Sequence, residues 1–132
     1  MKKIVLDTNA YAALIQGQLL VKQVLENAEQ LFIPVFVIAE LLYGFKNGSR
    51  EQANKTLLND FLNLAGVAVR HTTDETARIY SGLYLDLKQK GTPIPTHDIW
   101  IAAIAIETGS VIITYDKHFL NIKKASVWAA LQ

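Results

Sequence analysis

The pattern that most narrows what this chain can fold into is a set of short apolar runs separated by longer stretches with helical periodicity. "KIVLD" (3–7), "LFI" (31–33), "VAV" (67–69), "VIIT" (111–114) and "ASVW" (125–128) each have the length and composition of a strand, and "KIVLD" reads as a buried one. Between them lie "LLVKQVLENAEQ", the segment "VFVIAELLYGF" with Pro34 at its first helical position, "SREQANKTLLNDFLNLAG" ending at Gly66, and residues 73–90 closed by Gly91. In 73–90, Ile79, Leu83 and Leu87 recur every four residues with Tyr80 and Tyr84 beside them. "LFIPVFVI" has the composition of a single strand, but a proline in a central strand would remove a ladder hydrogen bond. After the turn-forming "GTPIPT", Thr96 suits the N-cap of "HDIWIAAIAIET", apolar all round in its middle and stopped by Gly109. Strands alternating with helices predict βαβ units and a parallel sheet, an α/β fold.

At 132 residues the chain fits one domain, 1–132. Its 13 Lys plus Arg and 12 Asp plus Glu give a net charge of +1, which excludes neither nucleic acid nor any other partner, since a groove can be basic on a neutral protein. Cysteine is absent, so thiolate metal sites and disulfides are excluded and an intracellular, cytoplasmic protein is expected. In "MKKIVLDTN" Asp7 interrupts the apolar run after three residues, too soon for an export signal. "LFIPVFVIA" and "IWIAAIAI" fall short of the roughly 20 residues that cross a bilayer, so no membrane association is expected. The 51% hydrophobic content and mean hydropathy of +0.19 are high for such a chain and point to an apolar patch covered by a partner, a second copy or another protein.

Eight of the 12 acids sit in polar neighbourhoods, and four do not. Asp7 follows "IVL", Glu40 interrupts "VFVIAELL", Asp98 precedes "IWIAAIAI" and Asp116 follows "VIITY". A carboxylate in apolar surroundings costs several kcal/mol, roughly, unless it is paired, hydrogen-bonded or bound to metal. Each has an ordinary reading too. Asp7 can cap the next helix, Asp98 can complement a helix dipole, Asp116 can serve a turn, and Glu40 can form a buried salt bridge. If the four converge, all-oxygen ligands select Mg²⁺ or Mn²⁺.

With these positions the chain resembles the PIN-domain ribonucleases, specifically VapC-type toxins of toxin–antitoxin pairs. "IVLDTNAYAALI" resembles the family's opening strand with the first acid at Asp7, and "IPVFVIAELLYG" the segment with the second at Glu40. "HDIWIAAIAIETG" resembles the "DxxIAA" helix with the third at Asp98, and "VIITYDKHF" the strand end with Thr114 and the fourth at Asp116; His97 departs from the small polar or acidic residue expected there. The resemblance implies a three-layer Rossmann-like fold, a parallel sheet sandwiched between helices. It also implies Mg²⁺ or Mn²⁺ in a four-acid pocket, an RNA substrate cut to leave a 3′-hydroxyl and a 5′-phosphate, homodimerisation and a VapB-like antitoxin.

In that reading metal held by Asp7, Asp98 and Asp116 neutralises the phosphate and acidifies water, with Glu40 completing the pocket. Thr8 and Thr114 would hold the carboxylates from behind, or be plain turn and strand residues. His97, His118 and the basic set Lys46, Arg50, Lys55 and Lys117 are candidate RNA contacts or simply solvated side chains. An antitoxin helix would lie near Leu41, Leu42 and Phe45 and point an Arg or Lys at the four acids. Two rivals are a haloacid-dehalogenase-type phosphatase, which would want an acid where Asn9 stands, and a non-catalytic PIN-like binding module.

Overall fold

A computed structural model describes residues 1–132. Its five strands are β1 (Lys3–Leu6), β2 (Gln30–Pro34), β3 (Val67–Arg70), β4 (Val111–Ile113) and β5 (Ser126–Val127). They form one wholly parallel sheet in the order β3-β2-β1-β4-β5. Six helices connect them: α1 (Thr8–Ile15), α2 (Leu19–Glu26), α3 (Val35–Lys46), α4 (Glu51–Leu62), α5 (Asp74–Lys90) and α6 (Thr96–Thr108). Short 3-10 turns occupy Lys117–Asn121 and Ala129–Leu131.

Ile4, Val5 and Leu6 have no solvent exposure, although successive strand residues point to opposite faces. Both faces of the sheet are therefore covered, as the α/β expectation requires. Ile33, Ile112 and Ile113 extend the same core, and the stretch from Ile101 to Ala105 of α6 is buried on every side. Gly91 and Gly109 end α5 and α6 with φ of 70° and 68°, a left-handed conformation that glycine adopts without cost. No helix is long and apolar enough to cross a membrane.

Four local expectations differ from the structure. The segment after Asp7 forms a two-turn helix, α1, that periodicity over so short a stretch did not reveal. Pro34 is not the first helical residue but closes β2 in an extended conformation (ψ 143°), where its missing N–H falls at the end of the ladder. Thr96 is not the N-cap of α6; Pro95 occupies that position, and its carbonyl accepts from the Asp98 and Ile99 amides at 3.1 and 3.4 Å. Finally, α4 stops at Leu62 rather than Gly66. Gly66, with φ of 82°, instead turns the chain into β3, and a Cβ there would meet the Glu29 carbonyl at 3.2 Å.

Candidate active site

The strand order positions the site. From β1 the chain steps outward through β2 to β3, then returns to lay β4 on the opposite flank of β1. The loops leaving β1 and β4 consequently diverge, and a crevice opens at their carboxyl ends, where parallel sheets bind ligands. Asp7 leaves β1 with its amide donating to the Ile113 carbonyl at 3.0 Å, so both loops begin at one level. Thr114 and Asp116 follow β4, Asp98 arrives on the first turn of α6, and Glu40 arrives from the middle of α3. The structure brings all four acids to one open cavity of about 320 Å³, together with Thr8, Asn9, Ala12, Pro95, His97 and His118.

Hydrogen bonds fix two of the acids. The Thr8 amide donates to Asp7 Oδ1 at 2.8 Å and the Thr114 hydroxyl to Asp7 Oδ2 at 2.7 Å. Thr114 is wholly buried, and the same hydroxyl accepts from the Asp116 amide at 3.0 Å, so one side chain joins the first acid to the backbone of the fourth. Asp116 Oδ1 in turn accepts from the His118 amide at 2.8 Å. The capping and turn roles open to Asp7 and Asp116 are thus real, and they orient the carboxylates into the cavity rather than replace that placement. Asn9 Oδ1 accepts from the Tyr115 amide at 3.1 Å, tying the β1 loop to the β4 loop.

Asp98 is 5% exposed, and no backbone amide or hydroxyl donates to it. Its polar neighbours are imidazoles, His97 Nε2 at 3.4 Å and His118 Nδ1 at 3.5 Å. Glu40 has His97 at 3.7 Å as its ionic neighbour, while its Oε1 is buried without a partner. The Thr8 hydroxyl is near enough to favour Glu40's charged form, yet it too lacks a partner at hydrogen-bonding geometry.

Burial pushes Asp7, Glu40 and Asp98 above the usual carboxylate range, and their mutual repulsion, with Asp116 acting on Asp7 and Asp98, adds to it. His97 opposes the rise in all three. No Lys or Arg lines the cavity. Crowded carboxylates, an orphaned carboxylate oxygen and two imidazoles, with no fixed cation among them, suit a hard divalent ion.

Sequence reasoning offered His97 and His118 only as RNA contacts or solvated side chains, and what it missed is their place against the carboxylates. His97 adjoins Asp98 and His118 lies two residues beyond Asp116, so their spacing from the acids was the available signal. The proposed basic rim is less free than its charges imply, because Lys46 and Lys55 both pair with Glu51, at 3.5 and 3.2 Å. Arg50 and Lys117 are exposed. Leu41 and Phe45 line an apolar cavity with Tyr11, Ile15 and Leu57; Ala12 borders both this cavity and the acidic one, so the two adjoin. Leu42 is half-buried nearby on α3.

A fifth unusual acid, Glu107, sits near the far end of α6 and accepts from Thr73 at 2.6 Å, from Thr76 and from Arg70 at 3.3 Å. Burial works to raise its pKa, but those hydrogen bonds and the Arg70 charge outweigh it and hold the carboxyl low. It fastens α6 to α5 and β3.

The PIN domain family model matches residues 4–125. The chain is similar to Ribonuclease VapC5 of Mycobacterium tuberculosis, 25% identical over 122 residues that make up 92% of this chain and 89% of that protein. Among solved structures it superposes on VapBC2 from Rickettsia felis, bound to a DNA fragment from its promoter, with a TM-score of 0.84 and 25% identity over 96% of this chain and 97% of that one. VapBC-5 from Mycobacterium tuberculosis shares the fold at a TM-score of 0.75 and 24% identity, covering 97% of each chain. With the match spanning four of the five strands and all four acids, the chain belongs to the PIN-domain family.

Proposed function

We propose that this protein is a VapC-type endoribonuclease toxin dependent on Mg²⁺ or Mn²⁺, its residues 1–132 forming a single domain, working in the cytoplasm and held in check by a VapB-like antitoxin. The observation that carries the reading is the convergence of Asp7, Glu40, Asp98 and Asp116 on one cavity at the switch point of the sheet. The ribonuclease named among its relatives and the VapBC complexes among its structural neighbours support it.

Asp7, Asp98 and Asp116 would hold the ion, and Glu40, whose Oε1 is buried without a partner, would complete the pocket. A divalent ion in such a site offsets charge on a scissile phosphate and acidifies water. Thr114 keeps Asp7 aimed and, through the Asp116 amide, holds the β4 loop in register with it. The near-complete burial of Asp7 and Asp98 limits competing hydration of their oxygens, which strengthens attraction to a cation. Lys117 and Arg50 are placed on exposed surface where they can meet flanking phosphates.

The phosphatase rival finds no support: where that chemistry wants an acid, Asn9 is committed to the Tyr115 amide. The binding-module rival leaves unexplained why three acids are held against burial and repulsion. The apolar cavity of Leu41 and Phe45 beside the acids suits an amphipathic antitoxin segment whose Arg or Lys reaches the carboxylates. The remaining apolar surface, including Tyr84 and Leu85, suits a second copy of the chain. The test is cleavage of single-stranded RNA by purified protein with Mg²⁺ or Mn²⁺, after chelation, and in Asp98→Asn. Cleavage restored by either ion and lost in the variant is expected; undiminished cleavage after chelation overturns the metal reading.

A further inference from the structure

The two cavity histidines do not stand in the same relation to the acids. His118 Nδ1 lies 3.2 Å from Asp116 Oδ1 and 3.5 Å from Asp98 Oδ2, and one donor atom from each of these three residues falls within 4.8 Å of the other two. His97 Nε2 instead spans Asp98 and Glu40, at 3.4 and 3.7 Å. Two donors bound side by side to one ion at about 2.1 Å sit roughly 3.0 Å apart. The spacings around His118 are a few tenths of an ångström wider, a gap that small side-chain rotations close.

The turn is also built to hold this triangle. Phe119 anchors it with no solvent exposure, and the bond from the His118 amide to Asp116 Oδ1 fixes the two residues relative to each other. Across from them Asp98, 5% exposed, points into the cavity without an amide or hydroxyl donor. Its polar partners are the two imidazoles alone, at 3.4 and 3.5 Å, and a bound ion would add the compensation that burial of a carboxylate calls for.

We infer that His118 is a nitrogen ligand of the bound ion, completing with Asp98 and Asp116 a mixed carboxylate–imidazole site that favours Mn²⁺ over Mg²⁺. The inference rests on the metal-dependent reading above and adds to it a ligand that the four-acid pocket does not include. Mn²⁺ shares with Mg²⁺ a preference for carboxylate oxygen but, as a transition ion, accepts an imidazole nitrogen more readily than Mg²⁺ does. Loss of the ring should therefore weaken Mn²⁺ binding by at least about tenfold, the low end of what losing even an orienting group costs. Mg²⁺ binding should change less.

The experiment is pulsed electron paramagnetic resonance on the full chain, stripped with chelator and loaded with one equivalent of Mn²⁺. Modulation from a directly bound ¹⁴N is expected, replaced by the ¹⁵N pattern when histidine alone is isotope-labelled. It should persist in His97→Gln and vanish in His118→Gln, with Mn²⁺ affinity measured on the same samples. Bound Mn²⁺ without nitrogen modulation, or modulation that survives in His118→Gln, overturns the assignment and leaves the carboxylate site standing. No Mn²⁺ binding by the wild-type chain overturns both the assignment and the reading beneath it.

Discussion

Replacing Thr114 by valine isolates the bond that joins the two halves of the site. Valine fills nearly the same volume, so no cavity opens, but the hydroxyl that donates to Asp7 at 2.7 Å and accepts from the Asp116 amide at 3.0 Å is lost. A hydrogen bond to a charged group is worth about 1.5–3 kcal/mol, and the Asp116 amide adds about 0.5 kcal/mol because water can reach that partly exposed residue. Burying a methyl in place of the hydroxyl returns about 0.8 kcal/mol. The net cost is about 2 kcal/mol, a fall in Tm of roughly 7 °C at about 2.1 cal/mol/K per residue for this length. The sign with pH follows from Asp7. The Thr114 bond favours its ionised form, so the cost is complete where Asp7 is charged and fades as pH falls through the raised pKa of the folded state. Urea melts of Thr114→Val and Thr114→Ser at several pH values, repeated on an Asp7→Asn background, measure it. Serine keeps the hydroxyl but removes a buried methyl, so it should lose about 1 kcal/mol with no dependence on the charge of Asp7, and on the Asp7→Asn background the valine cost should shrink by about 1 kcal/mol or more. A valine variant as stable as wild type at neutral pH would refute the reasoning, because the buried carboxylate would then be shown not to need its donor.

Asp98→Asn should abolish cleavage yet leave the metal-free fold at least as stable at neutral pH. Asp98's folded pKa lies above its unfolded value of about 3.9, so the stability present below that value drains away as pH rises through the folded pKa; denaturation from pH 4 to 7 should show the variant gaining on wild type. Asp7→Asn, Glu40→Gln and Asp116→Asn should likewise lose cleavage with circular dichroism unchanged, and full activity in any of them would remove that residue from the site. Glu107→Ala should show the opposite pH sign: the folded pKa is depressed, so a loss of about 2 kcal/mol appears above pH ~4.3 and disappears as pH falls through the folded value. Its Mn²⁺ affinity should match wild type, since Glu107 lies about 14 Å along α6 from Asp98.

What the sequence determined by itself was whatever depends on local composition. Consecutive apolar residues such as those of "KIVL" and "VII" marked strands covered on both faces, and the uniform apolarity of α6 marked a buried helix, because burial demands apolar side chains wherever it occurs. Asp7, Glu40, Asp98 and Asp116 stood out by the same rule inverted, as charges where burial penalises charge. Only the tertiary structure decided that they meet. Asp7 and Asp116 are 109 positions apart in the chain, and what joins them is the pairing of β1 with β4 and one buried threonine hydroxyl. The histidines show the limit most sharply. In the sequence His97 and His118 merely flank the third and fourth acids, a position that fits an RNA contact or a solvated side chain equally; in the fold they are the nearest polar neighbours of Asp98. Composition can report that a side chain is costly to bury, but which atoms lie a few ångströms from it is set by strand order and helix packing, and neither is written in any local stretch of the chain.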